Sequence, residues 1–459
     1  MSSRSGGSGE LAKGALSLLD SAVMGVAGVA PGYTIAASTA TLVAAVGLGS
    51  PAALLVCGVA MFGIVFAFQY LGRREANAGA SYAWVGETLH PLLGYLAGWS
   101  LVAASIVFMV AGTIPAGALA VGLVSTRLAN NIDVVGGVGI VAFILMTLAV
   151  GAGVQLTARV QVFLSSVELT ILVLFSVLLF LHTPRVNEFS WSWFSPGAFH
   201  GVSGFFAGAL VAAFYYWGWD VTANLGEETA KESRNPGLGG VIGVMTVFVL
   251  FEAYAVGVNL VMTSGAIHHH SADVLGVLGE ILWPGLGGRL IVLAVVLSTV
   301  ATLETTIVQV TRTLFAMGRE GSLPKSLGAI DQVRRTPLRA TVVVGVVPLL
   351  LFVAAAFVGS VSQVLTDAIN AVGLQICIYY SLAGFAVIVA YRRELRRSWQ
   401  MALFAGVWPF VGAVFMVAIF VVSLPTLNTA TLVVGFGALG IGVVPLLAAR
   451  YSDRRATPE

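Results

Sequence analysis

Charge is scarce in this sequence. Lys, Arg, Asp and Glu make up 10% of its 459 residues, against roughly 25% in ordinary soluble proteins. A soluble surface needs about 25–35% of these residues, so a set of soluble domains is excluded. Cysteine is nearly absent. Cys57 and Cys377 lie in apolar runs, which suits small buried hydrophobes and excludes a disulfide framework. Histidine is also sparse. His90, His182 and His200 fall at the ends of apolar stretches, and His268, His269 and His270 share one polar loop. The sequence holds no two-histidine metal helix, phosphate loop or nucleophile elbow, so it points to no metal, no cofactor and no enzyme chemistry. Nor does the first apolar stretch read as a signal peptide, being too long and too far in.

What is present is apolar. Hydrophobic residues reach 58% and mean hydropathy is +0.94. The 54 glycines exceed an average near 7%, and glycine is enriched where membrane helices pack closely or unwind. The expected fold class is an all-α membrane protein. A crossing needs ~20 mostly apolar residues, and the sequence offers such segments near 18–47, 51–71, 90–125, 134–152, 159–181, 200–228, 237–263, 285–317, 340–359, 364–390, 400–423 and 428–449. The expectation is therefore twelve transmembrane helices. With both termini in the cytoplasm, all of the 23 basic residues fall inside except Arg127, Arg185 and Arg289. That is a strong positive-inside bias. Residues 1–14, rich in Ser and Gly, then read as a disordered cytoplasmic tail and 450–459 as a cytoplasmic tail.

Two spans look broken. The first runs Met24-Gly25-Val26-Ala27-Gly28-Val29-Ala30-Pro31-Gly32-Tyr33, where proline removes a donor and glycine lowers the cost of unwinding. The sixth runs Phe214-Tyr215-Tyr216-Trp217-Gly218-Trp219-Asp220. The two stand at corresponding places, each first in a set of five spans. Paired interruptions of this kind point to inverted repeats with a solute site at the midplane.

Ionisable groups inside spans are costly and mark function by default. Glu168, Asp220, Glu252 and Glu304 lie well inside, with Asp367 near an end and no Lys or Arg equally deep. Acids without a fixed base suit a cationic solute group, a proton or a metal cation. Helical spacing gathers Gln161, Ser165 and Glu168 on one face of the fifth span. It does the same for Asp220, Asn224 and Glu227 on the sixth. On the eighth it gathers Ser298, Thr302, Thr305 and Gln309, with Glu304 beside them. Such stripes either hydrogen-bond helices together or face water.

Three blocks carry a family resemblance: FYYWGWDVTANLGEETAKESRNP from Phe214 to Pro236, TRTLFAMGREGSLP from Thr311 to Pro324, and NAGASYAWVGETLHPLLGYLAGW from Asn77 to Trp99. They resemble the sixth-span signature, the eighth-span exit and the loop into the third span of the amino acid–polyamine–organocation (APC) transporter superfamily. The resemblance implies a LeuT-like 5+5 inverted repeat, with 15–182 and 200–390 as the repeats and 400–449 as two peripheral helices. It implies a permease in the plasma membrane, here a bacterial inner membrane, that moves an amino acid or related amine by alternating access. Coupling to protons or exchange without net proton movement both fit, and so does import of a polyamine or simple amine. The implied partners are the solute, a proton or sodium ion and membrane lipid, in a monomer or homodimer, with no nucleic acid.

Carried over position by position, the implied substrate site comprises Val26, Val29, Ala30, Pro31 and Gly32 of the first span. Phe214, Trp217, Gly218 and Asp220 of the sixth and Thr306 of the eighth complete it. Glu168, Thr302 and Glu304 are the implied proton- or cation-coupling group. Two departures stand out. Pro31 replaces the middle residue of a Gly-Ser-Gly-like run, and Glu168 stands where many members carry a lysine.

Overall fold

The computed structural model describes residues 10–129, 131–195, 197, 199, 201–271, 273–355 and 361–448. Most of the expected N-terminal tail (1–9) and all of the C-terminal one lie outside these residues, as do His200 and 356–360 of the expected second repeat. Residues 10–14 are described, and Leu11 among them is 3% exposed. Among the described residues there are helices and no strands, only isolated bridges.

The chain starts with α1 (Leu18–Val29), whose entry is closed by a capping box. The Asp20 N–H donates to Ser17 Oγ at 3.2 Å, and the Ser17 N–H donates to the Asp20 carboxylate at 2.8 Å. The helix stops at Ala30, held left-handed at φ 53° and ψ 66°. Pro31 then opens α2 (Pro31–Val46), the first helical position being the place where a missing N–H costs least. After Gly47 the chain turns into α3 (Ser50–Arg74). α4 (Ser81–Thr88), α5 (Pro91–Val124), α6 (Ile132–Ala152), α7 (Val154–Leu181) and α8 (Gly201–Tyr215) follow. Beyond a short turn, Val221–Asn224, come α9 (Asn235–Val261), α10 (Val274–Leu282), α11 (Gly287–Arg319), α12 (Leu338–Ala355), α13 (Val361–Ala390), α14 (Trp408–Ser423) and α15 (Thr429–Ile441).

Nine stretches of the described residues are long and apolar enough to cross a membrane. One of them, Leu18–Arg74, is 57 residues long. At about 1.5 Å per residue a straight helix of that length would far exceed a ~30 Å hydrocarbon layer. The breaks at Ala30 and Gly47 divide it. Gly201–Tyr215 and Leu338–Val353 are shorter apolar helices. This is an integral membrane protein. Burial sorts its layers: the first stretch is 78% buried in its most apolar window, the stretch holding α15 only 17%. Outward-facing Leu145, Leu148, Val173, Val177 and Val433 are all more than half exposed, as lipid-facing surfaces should be. α1, α5, α11 and α13 form the centre, with α1 against α9 and α11, and α5 against α11 and α13.

Candidate functional site

The two breaks meet. A Cβ added to Gly28 would collide with the Gly218 carbonyl oxygen, and one added to Gly218 would collide with that of Gly28. Gly218 also holds φ +101°, which a side chain strongly disfavours. The breaks at Ala30–Pro31 and Trp217–Asp220 therefore form one site. Val26, Val29 and Ala30 are at most 4% exposed there, and Pro31 and Gly32 are buried beside them.

Breaking a helix frees backbone groups that lipid cannot satisfy. Here side chains take them up, three of the four from distant helices. Gly32 N donates to Glu168 Oε1 at 3.0 Å, and Tyr33 N donates to Ser298 Oγ at 3.1 Å. Gly28 O accepts from Thr302 Oγ1 at 3.1 Å, and Val29 O accepts from Thr34 Oγ1 at 2.7 Å. The polar stripe of α11 thus forms a spine. Ser298 and Thr302 bind the first break, and Gln309 farther along binds the second. Thr306, one turn past Thr302, is 5% exposed.

Asp220 is wholly buried and fully engaged. Its Oδ2 accepts from Gln309 Nε2 at 2.8 Å and from the Tyr379 hydroxyl at 3.1 Å, and its Oδ1 accepts from the Tyr380 hydroxyl at 2.9 Å. Trp217 Nε1 donates in turn to Tyr379 at 2.8 Å. Neutral donors hold this carboxylate, which ties the sixth-span break to α11 and α13. Nothing in the sequence marks Tyr379 and Tyr380, because a phenol is not charged and a Tyr-Tyr pair fits an apolar span. Phe108 of α5 is equally unmarked, being one apolar residue in an apolar span. It packs 5.7 Å from Tyr33 and 5.5 Å from Trp217, ring centre to ring centre, with Phe214 at 6.4 Å. These four rings wall the place where the breaks meet.

Glu168 and Glu304 are both wholly buried. Gln161 links the fifth-span stripe to Glu304, its Nε2 donating to the carboxylate and to Ala301 O. Glu168 Oε2, Glu304 Oε1, Gln161 Oε1 and Ser165 Oγ are buried without a protein partner. Glu252 of α9 stands apart from this group, both of its oxygens likewise buried and unpartnered. Asp367 accepts from Asn428 and Thr431, away from the breaks.

A base is as buried as the acids, which span counting did not foresee. Arg312 and Glu228 are each 1% exposed and paired through two hydrogen bonds, at 2.9 and 3.1 Å. Glu228 O also accepts from Leu16 N at 3.1 Å, so the segment before α1 is pinned to this pair. Beside it, Arg319 grips Glu227, whose carboxylate accepts from Ala78 N at 2.8 Å. Asn224 reaches Ala78 O and Thr313. The three blocks singled out in the sequence thus close together on one end of the bundle.

Comparison with known proteins agrees with this architecture. A family model described as amino acid permease matches residues 16–444. The b(0,+)-type amino acid transporter 1 of Mus musculus is 22% identical over 389 residues, 80% of this chain and 74% of that protein. The methylthioribose transporter of Bacillus subtilis (strain 168) is 25% identical over 468 residues, 95% of this chain and 94% of that protein. The branched-chain amino acid permease BcaP of the same organism is 23% identical over 365 residues, 73% of this chain and 74% of that protein. The chain belongs to the amino acid permease family of the APC superfamily.

Proposed function

We propose that this permease moves a small amine-bearing solute, an amino acid or a closely related cationic amine, across the membrane by alternating access coupled to protons. The observation that carries the reading is the bond from Gly32 N to Glu168 at the meeting point of two broken helices. A buried carboxylate that holds a helix break is placed to couple its own protonation to the movement of that break. Phe214 and Trp217 close over the solute. Thr302 holds the first break to α11, and Glu304, through Gln161, ties α11 to Glu168's own helix. Asp220 fixes the sixth-span break through its three donors. The solute class stays broad at this level, because one matched relative is named for methylthioribose, not for an amino acid.

The same reading has twelve crossings, with the 57-residue first stretch supplying two and the shorter apolar helices one each. Residues 15–182 and 200–390 form two inverted repeats, 400–449 are peripheral, and both termini face the cytoplasm of a cell bounded by this membrane. The test is uptake into proteoliposomes driven by a pH gradient. Glu168→Gln should abolish driven uptake while sparing exchange of solute across the membrane at saturating concentration. Unchanged driven uptake would remove Glu168 from the mechanism.

A further inference from the structure

A solute α-carboxylate in a broken-helix site is held by free N–H groups at a half-helix N-terminus. At the start of α2 those groups are all engaged. Pro31 has none. Gly32 N donates to Glu168, Tyr33 N to Ser298, and Thr34 N to Ala30 O at 2.8 Å. The carboxylate that this helix end attracts is therefore supplied by the protein itself, from 136 residues away. Glu168 Oε2 remains without a protein partner although the residue is wholly buried. Among the described residues the buried base is Arg312, about ten positions along α11 from Thr302, with Nε and Nη2 bound to Glu228 and Nη1 without a partner.

A second carboxylate entering here would meet Glu168 with every N–H of this helix end already engaged and no cation to receive it. Burying an unpaired charge is prohibitive. An ammonium group would do the opposite, giving Oε2 its missing partner and neutralising the acid. The faces of Tyr33, Phe108, Phe214 and Trp217 add a surface that attracts cations. Resting on the transport reading above, we infer that Glu168 stands in for the solute's carboxylate, and that the permease takes a primary amine or polyamine lacking an α-carboxylate, its ammonium group paired with Glu168.

The test is thermal stabilisation of the purified full chain by matched pairs: cadaverine against lysine, tyramine against tyrosine, isoamylamine against leucine. At least one amine should stabilise the wild type at a concentration ten or more times lower than its parent amino acid. Glu168→Ala vacates the anion seat, so that pair's preference should move tenfold or more toward the amino acid. Glu168→Gln keeps an oxygen for Gly32 but loses the charge. It should weaken the amine at least tenfold without a gain for the amino acid, and it carries the test if the alanine variant does not fold. Wild-type stabilisation by amino acids equal to or better than by amines overturns the inference and leaves the transport reading standing. No stabilisation by any member of the pairs, together with no uptake of them into proteoliposomes, sinks both.

Discussion

Gly28 and Gly218 press backbone to backbone where the two broken helices cross, each filling the space that a Cβ on the other would need. Alanine at either position must push the breaks apart. Overpacking of this kind costs about 1–3 kcal/mol, and Gly218→Ala adds about 1–2 kcal/mol for its left-handed backbone. Both variants should lower Tm in detergent, Gly218→Ala more. Gly137→Ala, where the added carbon meets nothing within 4 Å, is the control and should leave Tm unchanged or slightly raised.

Asp220 and its two tyrosines form one unit. Removing a hydroxyl by Tyr379→Phe strips a donor from Asp220 and leaves Trp217 Nε1 without its acceptor. Tyr380→Phe strips a single donor. An unsatisfied buried polar group costs about 1–3 kcal/mol, so Tyr379→Phe should destabilise more than Tyr380→Phe. In a double-mutant cycle the two should be non-additive, because both act on one carboxylate. Additive losses would mean the bonds are independent.

Asp220→Asn tests a different point. The amide presents a donor where the carboxylate accepts from Gln309, Tyr379 and Tyr380. The substitution should therefore weaken folding as well as solute binding. A variant with wild-type Tm but lost binding would show that Asp220 meets the solute directly.

The Arg312–Glu228 pair is buried on both sides. Removing one partner strands a buried charge at a cost of about 3–5 kcal/mol, while replacing both with apolar residues of similar volume is often neutral. Arg312→Met or Glu228→Gln alone should fail to yield a folded protein. Arg312→Met combined with Glu228→Leu should recover much of the yield on size-exclusion chromatography.

Glu75 lies past the end of α3, outside the membrane stretch. Burial pushes its carboxyl above the ordinary range, and Glu87 and Glu320 add to this against a bond from Asn77. A raised folded value means the native state binds this proton more tightly than the unfolded chain. Its stabilising contribution is thus complete below about pH 4 and is lost as pH rises through the folded value. Glu75→Gln should raise Tm slightly at pH 7, and the gain should vanish in acid.

Much of the site's position was legible in the sequence. Pro31 cannot donate and constrains the residue before it, so the break at Ala30 follows from local chemistry. The Ser298–Thr302–Gln309 stripe was likewise readable, since helical period puts these residues on one face. What the stripe binds was not readable. Ser298 and Thr302 hold the first break and Gln309 holds Asp220, so the stripe that could have been plain helix–helix glue joins both interruptions.

Arg312 shows the limit of counting along the chain. The positive-inside bias assigns it to the inner side with the other basic residues and says nothing of its burial. Packing against the sixth-span exit buries it on Glu228, 84 residues away.

The sequence by itself determined that this chain lives in lipid, where its helices break, and which carboxylates they carry. Those properties depend on composition and on neighbours within a turn or two. The tertiary structure alone decided the partners: Glu168 on Gly32, and Asp220 on Tyr380 across 160 residues of chain. Helical period fixes which face a side chain occupies. Only the packing of one helix on another fixes what that face meets.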